Sequence, residues 1–243
     1  MTQPTTQSVN QPGERDLELL QEASQRLVRT VDGLRDHEWH VATELPGWTR
    51  AHVVAHLALN AEGLGGALEG VYGEDGPVPM YASQEARDGD IEELAQAEPG
   101  ELRARLLAGV TRFADAVVGM PDDQWETTIE RTPGKRAFRA ASAIGMRWRE
   151  VEIHHADLGA GYSRADWPVE FCRVLLDGMA KRGGWTTPFR ARATDLDGEW
   201  ELGDGSGPTV SGTAADLGWW LTGRGTGEGL TSDGGELPRI EEW

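Results

Sequence analysis

Apolar residues at Leu17, Leu20, Leu27, Val28, Val31 and Leu34 recur at spacings of three, four and seven, and predict an amphipathic helix over Arg15–His37. Leu102, Leu106, Val110, Phe113 and Val117 form a second stripe, in a helix over Glu101–Met120 with Pro99 at a first-turn position and Pro121 as its stop. Between these two, Glu44–Thr49 is a turn. Gly47 or Thr49 caps the next helix, which reaches about Glu69. Its Gly63, Gly65 and Gly66 either weaken it or let another segment approach closely. Prolines and glycines make Gly73–Met80 a loop, and Ser83 caps a short acidic helix to Gln96, without a capping box because Ala86 holds the third position. Gln124–Arg136 is a loop or hairpin about the turn Thr132-Pro133-Gly134. A fourth long helix spans about Arg139 to Leu158, with Gly159 as its C-cap.

Beyond Gly161 the texture changes. One more helix, Asp166–Lys181, carries Pro168 in its first turn. Short alternating runs follow at Phe189–Thr194, Trp200–Leu202 and Thr209–Ser211, separated by Asp-Gly turns. Thr213 caps a helix to Leu221, and the glycine-rich remainder ends in a last short strand. The expected architecture is mainly α: a flexible tail over 1–13, a four-helix bundle over 14–162, and a small α+β domain over 163–243. No internal repeat is evident.

Composition narrows the function. The 243 residues carry a formal net charge of -18, which disfavours nucleic acid and anionic membranes as partners. A single cysteine, Cys172, excludes an intrachain disulfide and suits a reducing, cytoplasmic setting; its place in an amphipathic helix suggests a buried structural role. The N-terminus lacks a signal-peptide pattern, and no apolar run is long enough for a membrane span. A soluble protein acting on small molecules is the expected class.

The densest chemistry lies in Gly145–Gly159, where Glu150, Glu152, His154, His155 and Asp157 fall within eight residues. Residues four apart share a helix face, so Glu150 and His154 project together. Ala51–Asn60 repeats the arrangement with His52 and His56. An isolated pair of this kind is commonly a surface ion pair worth a few tenths of a kcal/mol. Two such pairs on two helices of one bundle favour a metal site. His56, Glu150 and His154 supply two nitrogens and a carboxylate. His52 is an alternative to His56, although Asn60 extends the polar stripe beyond His56. Asp157 is placed to accept the second imidazole N–H of His154. Glu152 and His155 point a quarter-turn away and read as surface or supporting residues. Val53 stands where a metalloprotease would carry its general-base glutamate, so peptide hydrolysis is disfavoured. Arg224, in a flexible glycine loop, suits a carboxylate ligand, and Tyr81 and Arg87 follow the proline-rich loop as further candidates for a site mouth. The glycines from Gly223 to Gly227 lack the strand–turn–helix setting of a dinucleotide fingerprint. Trp48, Trp148 and Trp185 are candidates for stacking against a ligand but read first as core.

The segments LPGWTRAHVVAHLALNA (Leu45–Ala61), MYASQEARDGDI (Met80–Ile91), MRWREVEIHHADLG (Met146–Gly159) and GRGTGEG (Gly223–Gly229) together resemble the mycothiol-dependent maleylpyruvate isomerases, members of the DinB-like superfamily of metal-binding four-helix bundles. The resemblance runs in order over nearly the whole chain. It implies a DinB-like bundle followed by an α+β domain, with His56, Glu150 and His154 binding zinc or another divalent metal and His52 outside that set. It further implies mycothiol, a low-molecular-weight thiol, as cofactor. Arg224 would hold a substrate carboxylate, and Arg87 lies in a matching motif. The implied activity is cis–trans isomerisation of maleylpyruvate, a small carboxylate, to fumarylpyruvate in the gentisate route of aromatic catabolism. A mycothiol S-transferase acting on other electrophiles, or a non-enzymatic metal-binding stress protein, are the competing readings.

Overall fold

The computed structural model describes residues 13–74 and 76–240, so the expected tail over 1–13 lies, apart from Gly13, outside the described residues. The chain divides into two compact units, one ending at Gly161 and one beginning at Tyr162.

In the first unit, α1 (Glu14–Asp32), α2 (Arg50–Tyr72), α4 (Pro99–Gly119) and α5 (Ser142–Asp157) form a four-helix bundle in which each helix packs against two others, and α3 (Gln84–Leu94) lies against α2. Leu27 and Val31, Leu57 and Leu64, Leu102 and Leu106, and Trp148 and Val151 fill the interior, one pair from each bundle helix. The helix α2 differs from the others. Every residue from Ala51 to Ala58 is buried, so its apolar positions run all round rather than along one stripe. Any polar residue within that stretch must be buried.

Several boundaries differ from the sequence expectation, each for a local reason. The first helix stops at Asp32 because Asp32 and Gly33 are weak helix formers. A separate 3-10 turn, Asp36–Glu38, then forms, with Glu38 accepting from the Arg35 backbone and side chain. The fourth long helix begins at Ser142 rather than Arg139. Thr128–Glu130 (β1) and Ala137–Arg139 (β2) form an antiparallel hairpin that pairs Arg139 with Thr128. The Ser83 hydroxyl accepts from Ala86 N–H at 3.0 Å, so the expected cap of α3 is present.

Close helix packing depends on glycine. A Cβ added at Gly109 on α4 would stand 2.9 Å from the Ala58 carbonyl oxygen of α2, and one at Gly63 would stand 3.0 Å from the Met80 carbonyl. These contacts press α4 and the Met80–Tyr81 segment directly onto the α2 backbone.

In the second unit, a 3-10 turn (Arg164–Asp166) precedes α6 (Val169–Lys181). The helix starts three residues later than expected because Pro168 holds Trp167 extended. A four-stranded sheet has the order β4 (Glu199–Leu202), β3 (Phe189–Ala193), β5 (Thr209–Gly212), β6 (Thr231–Ser232). The β3/β5 pair is parallel and the outer pairs antiparallel. The helices α6 and α7 (Ala214–Leu221) pack together and against this sheet. Cys172 is buried in α6. Among the described residues no helix is long and apolar enough to cross a membrane.

Gly109→Ala is expected to lower thermal stability by about 1–3 kcal/mol through overpacking, although alanine is the better helix former by about 1 kcal/mol. Differential scanning calorimetry on the two proteins checks the sign.

Candidate metal centre

The buried polar residues of α2 fall at positions 52, 56 and 60, one turn apart on one face, and each is met by a partner. At the helix start, Thr49 N–H donates to His52 Nδ1 at 3.2 Å, with the Thr49 hydroxyl 2.8 Å from the same nitrogen, so His52 serves in the helix cap. Its Nε2 lies 3.2 Å from Glu92 on α3. These contacts hold His52 outside the cluster that contains His56. Two turns on, Asn60 accepts at 2.8 Å from Arg147 of α5, whose guanidinium also donates to the Leu57 carbonyl at 2.9 Å.

Between them sits the cluster. His56 Nε2 lies 2.8 Å from Glu150 Oε2, and His154 Nε2 lies 3.3 Å from the same oxygen. Donor atoms of His56, Glu150 and His154 all fall within 4.8 Å of one another, with both histidines buried. The two imidazoles meet edge to face at 4.6 Å between centroids. His154 Nδ1 is 2.8 Å from buried Asp157, which directs Nε2 towards Glu150. Trp48, half-buried at the end of the turn before α2, lays its ring 5.5 Å from His56 and 6.3 Å from His154. Trp148 is core, and Trp185 packs on Phe189 in the second unit, so Trp48 alone of the three tryptophans named above meets the cluster.

Charge is distributed unevenly over the three donors. Burial drives His56 down to about 4, against the opposing pull of Glu150. Burial pushes the Glu150 carboxyl upward, but His56 and His154 together hold it well below the usual carboxylate range. Burial would lower His154, yet hydrogen bonds to Asp157 and Glu150 outweigh it and raise its pKa. The cluster therefore offers a neutral imidazole at His56, a carboxylate at Glu150, and a His154 that holds its proton more firmly than an ordinary imidazole.

Two imidazole nitrogens and one carboxylate, convergent, buried and backed by Asp157, fit a divalent cation with a position to spare. One contact opposes that fit. Arg87 Nη2 lies 3.1 Å from His56 Nδ1. Guanidinium only donates, so Nδ1 accepts and the ring proton sits on Nε2. A cation that takes the Nε2 lone pair shifts that proton to Nδ1, where Arg87 can no longer bond it.

Glu152 and His155 are not surface residues. They lie on the other face of α5, fully buried against α1, where Arg26 donates to Glu152 at 2.8 Å and Thr30 Oγ1 lies 2.7 Å from His155 Nε2. Spacing along α5 reveals the direction of these side chains but not the helix that covers them. In the second unit, Arg224 follows α7, donates to the Thr222 carbonyl at 2.9 Å and lies 5.7 Å from the Trp219 ring.

A helical bundle gathering two imidazoles and a carboxylate in its interior, followed by a small α+β unit, defines the class. A family model described as the mycothiol maleylpyruvate isomerase N-terminal domain matches residues 20–159, and one described as the MDMPI C-terminal domain matches 166–242. The chain belongs to the mycothiol-dependent maleylpyruvate isomerase family, and is an enzyme of that kind. A solved structure of mycothiol-dependent maleylpyruvate isomerase is similar with a TM-score of 0.84 and 30% identity, and a structure of a histidine-to-alanine mutant of that name with 0.85 and 29%. Each comparison covers 95% of this chain and 96% of the other. No curated protein sequence matches.

Asp157→Asn is expected to weaken divalent-metal affinity by roughly 10–100-fold, measured by competition with a chelating dye. Because hydrogen bonds to Asp157 and Glu150 raise His154 above its usual 6.5, metal uptake is expected to release protons, and affinity to fall as pH drops. Proton release measured by calorimetry in buffers of differing ionisation enthalpy checks this.

Proposed function

We propose that the protein is a divalent-metal-dependent, mycothiol-using cis–trans isomerase that converts maleylpyruvate to fumarylpyruvate, with His56, Glu150 and His154 as metal ligands. The observation that carries this reading is the convergence of those three donors in the bundle interior. Family membership and the two similar solved structures support it. Two histidines and one carboxylate suit zinc.

When bound, the ion and the thiol together supply a thiolate nucleophile, whose reversible addition to the cis double bond makes a rotatable single bond and whose loss returns the thiol unchanged. The chain's own residues prepare this chemistry. Asp157 fixes the orientation of His154, and Glu150 remains ionised and offsets cationic charge. The indole of Trp48 covers the two histidines on one side, where it limits water access. Arg224 and Arg87 hold carboxylates of the substrate, and their positive charge favours the enolate that develops as sulfur adds. The cytoplasm, where mycothiol is kept reduced, is the fitting compartment.

The test combines purified protein, mycothiol and maleylpyruvate, with product and thiol followed together by NMR. Isomerisation without net thiol consumption is expected, and a stable thiol adduct in its place would make the protein a transferase. His154→Ala should lose bound zinc and activity together. Arg224→Ala should retain zinc and lower kcat/KM by roughly 10²–10³-fold, the cost of one transition-state donor.

A further inference from the structure

The acidity of the chain reverses locally beside the metal cluster. Met80 N–H donates to the Glu130 carbonyl and Tyr81 N–H to the Arg131 carbonyl, both at 2.9 Å, which fixes the end of the proline-rich loop against the strand β1. The Tyr81 ring is thereby pressed on α2, with its Cε1 3.2 Å from where a Cβ of Gly63 would be. Two guanidiniums lie against that ring, Arg87 and Arg131, each 5.8 Å from its centroid. Behind them Arg147 is buried, at 1% exposure.

The anions facing these groups do not match them. Glu150 is shared between two histidines, and Asp88, which takes Arg87 Nη1 at 2.7 Å, is 58% exposed. Among the described residues, Arg87 Nε and Arg147 Nη2 are buried with no hydrogen-bond partner. Buried donors left unmatched cost free energy, and several unmatched cations side by side cost more. Burial lowers the Arg147 guanidinium to about 10, and burial followed by the Glu150 charge raises the Tyr81 phenol, so Tyr81 stays a neutral donor.

We propose that Tyr81, Arg87 and Arg131 form a carboxylate-binding subsite, backed by the positive field of Arg147, that selects carboxylate over uncharged substrates. The inference rests on the isomerase reading for the identity of the substrate, maleylpyruvate being a dicarboxylate. A guanidinium presents a planar fork that matches a carboxylate, and a phenol adds a third donor. The subsite belongs wholly to the helical unit and is independent of Arg224. It separates the isomerase from a transferase for uncharged electrophiles, since such a substrate leaves these donors unpaired.

The test uses the full-length protein, as purified and after chelation, titrated by calorimetry with maleate, a cis-dicarboxylate, and with maleamide, its uncharged diamide. Maleate is expected to bind at least about tenfold more tightly, the equivalent of one charge-assisted contact. Arg131→Gln and Tyr81→Phe should each remove most of that preference, and Arg131→Lys should restore part of it. Circular dichroism melts check folding; Tyr81→Phe keeps the ring on Gly63 and carries the test should Arg131→Gln unfold. Equal affinities for the two ligands, or a preference unchanged in the folded variants, would overturn the proposal. Failure of the isomerase reading would look different: no metal uptake or no thiol-dependent turnover, with the maleate preference intact.

Discussion

The burial on all sides of the Ala51–Ala58 stretch of α2 governs the rest of the helical unit. A helix in that position has no solvent to satisfy its polar side chains, and an unpaired buried polar group costs on the order of 1–3 kcal/mol. Yet α2 carries His52, His56 and Asn60 at successive turns, each buried. The surrounding elements answer each one: Thr49 and Glu92 for His52, Glu150 and Arg87 for His56, Arg147 for Asn60. Because two of these answers come from α5, the register of α5 against α2 is set by polar pairing as well as by the fit of Leu57 and Val151. The same pairing brings Glu150 and His154 to His56.

The sequence shows this arrangement unevenly, and the reasons are physical. Helical periodicity is local, so the pairs 52/56 and 150/154 are visible as shared faces, and so is the reach of Asp157 to His154. What meets each face is not local. Nothing in Thr49-Arg50-Ala51-His52 announces that the histidine will close the helix start, since glutamate or glutamine is the usual residue there. The burial of Glu152 and His155 depends on α1, more than 120 residues earlier in the chain. Arg131 is the hardest case. The turn Thr132-Pro133-Gly134 marks the hairpin β1/β2, but the place of Arg131 beside Tyr81 follows from two backbone hydrogen bonds to Met80 and Tyr81 that leave no pattern in side-chain type. The helix boundaries at Asp32, Ser142 and Val169 were likewise set by turns and strand pairing that compete with periodicity at the helix ends.

The second unit was legible at the level of its elements, for a related reason. Alternating runs separated by Asp-Gly turns mark strands, and Thr213 marks a cap that forms as expected, accepting from Asp216 N–H at 3.1 Å. The order of strands was not legible. The parallel pairing of β3 with β5 passes over β4, and only packing on α6 and α7 determines which edge is taken.

The contact between Arg87 and His56 links the two halves of the site. A neutral imidazole has one lone pair and one N–H, so His56 cannot accept from a guanidinium at Nδ1 and ligate a cation at Nε2 at once. Whatever draws Arg87 away from Nδ1 leaves that nitrogen free to carry the proton, which favours a cation at Nε2. A carboxylate ligand on Arg87 is such a competitor. The linkage is reciprocal: a cation on His56 releases Arg87 donors, and an anion on Arg87 prepares His56. Without ligands, both ring nitrogens of His56 are satisfied, through Glu150 and the Arg87–His56 bond. A cation at His56 and a carboxylate at Arg87 would replace those internal contacts, each offsetting the charge of the other.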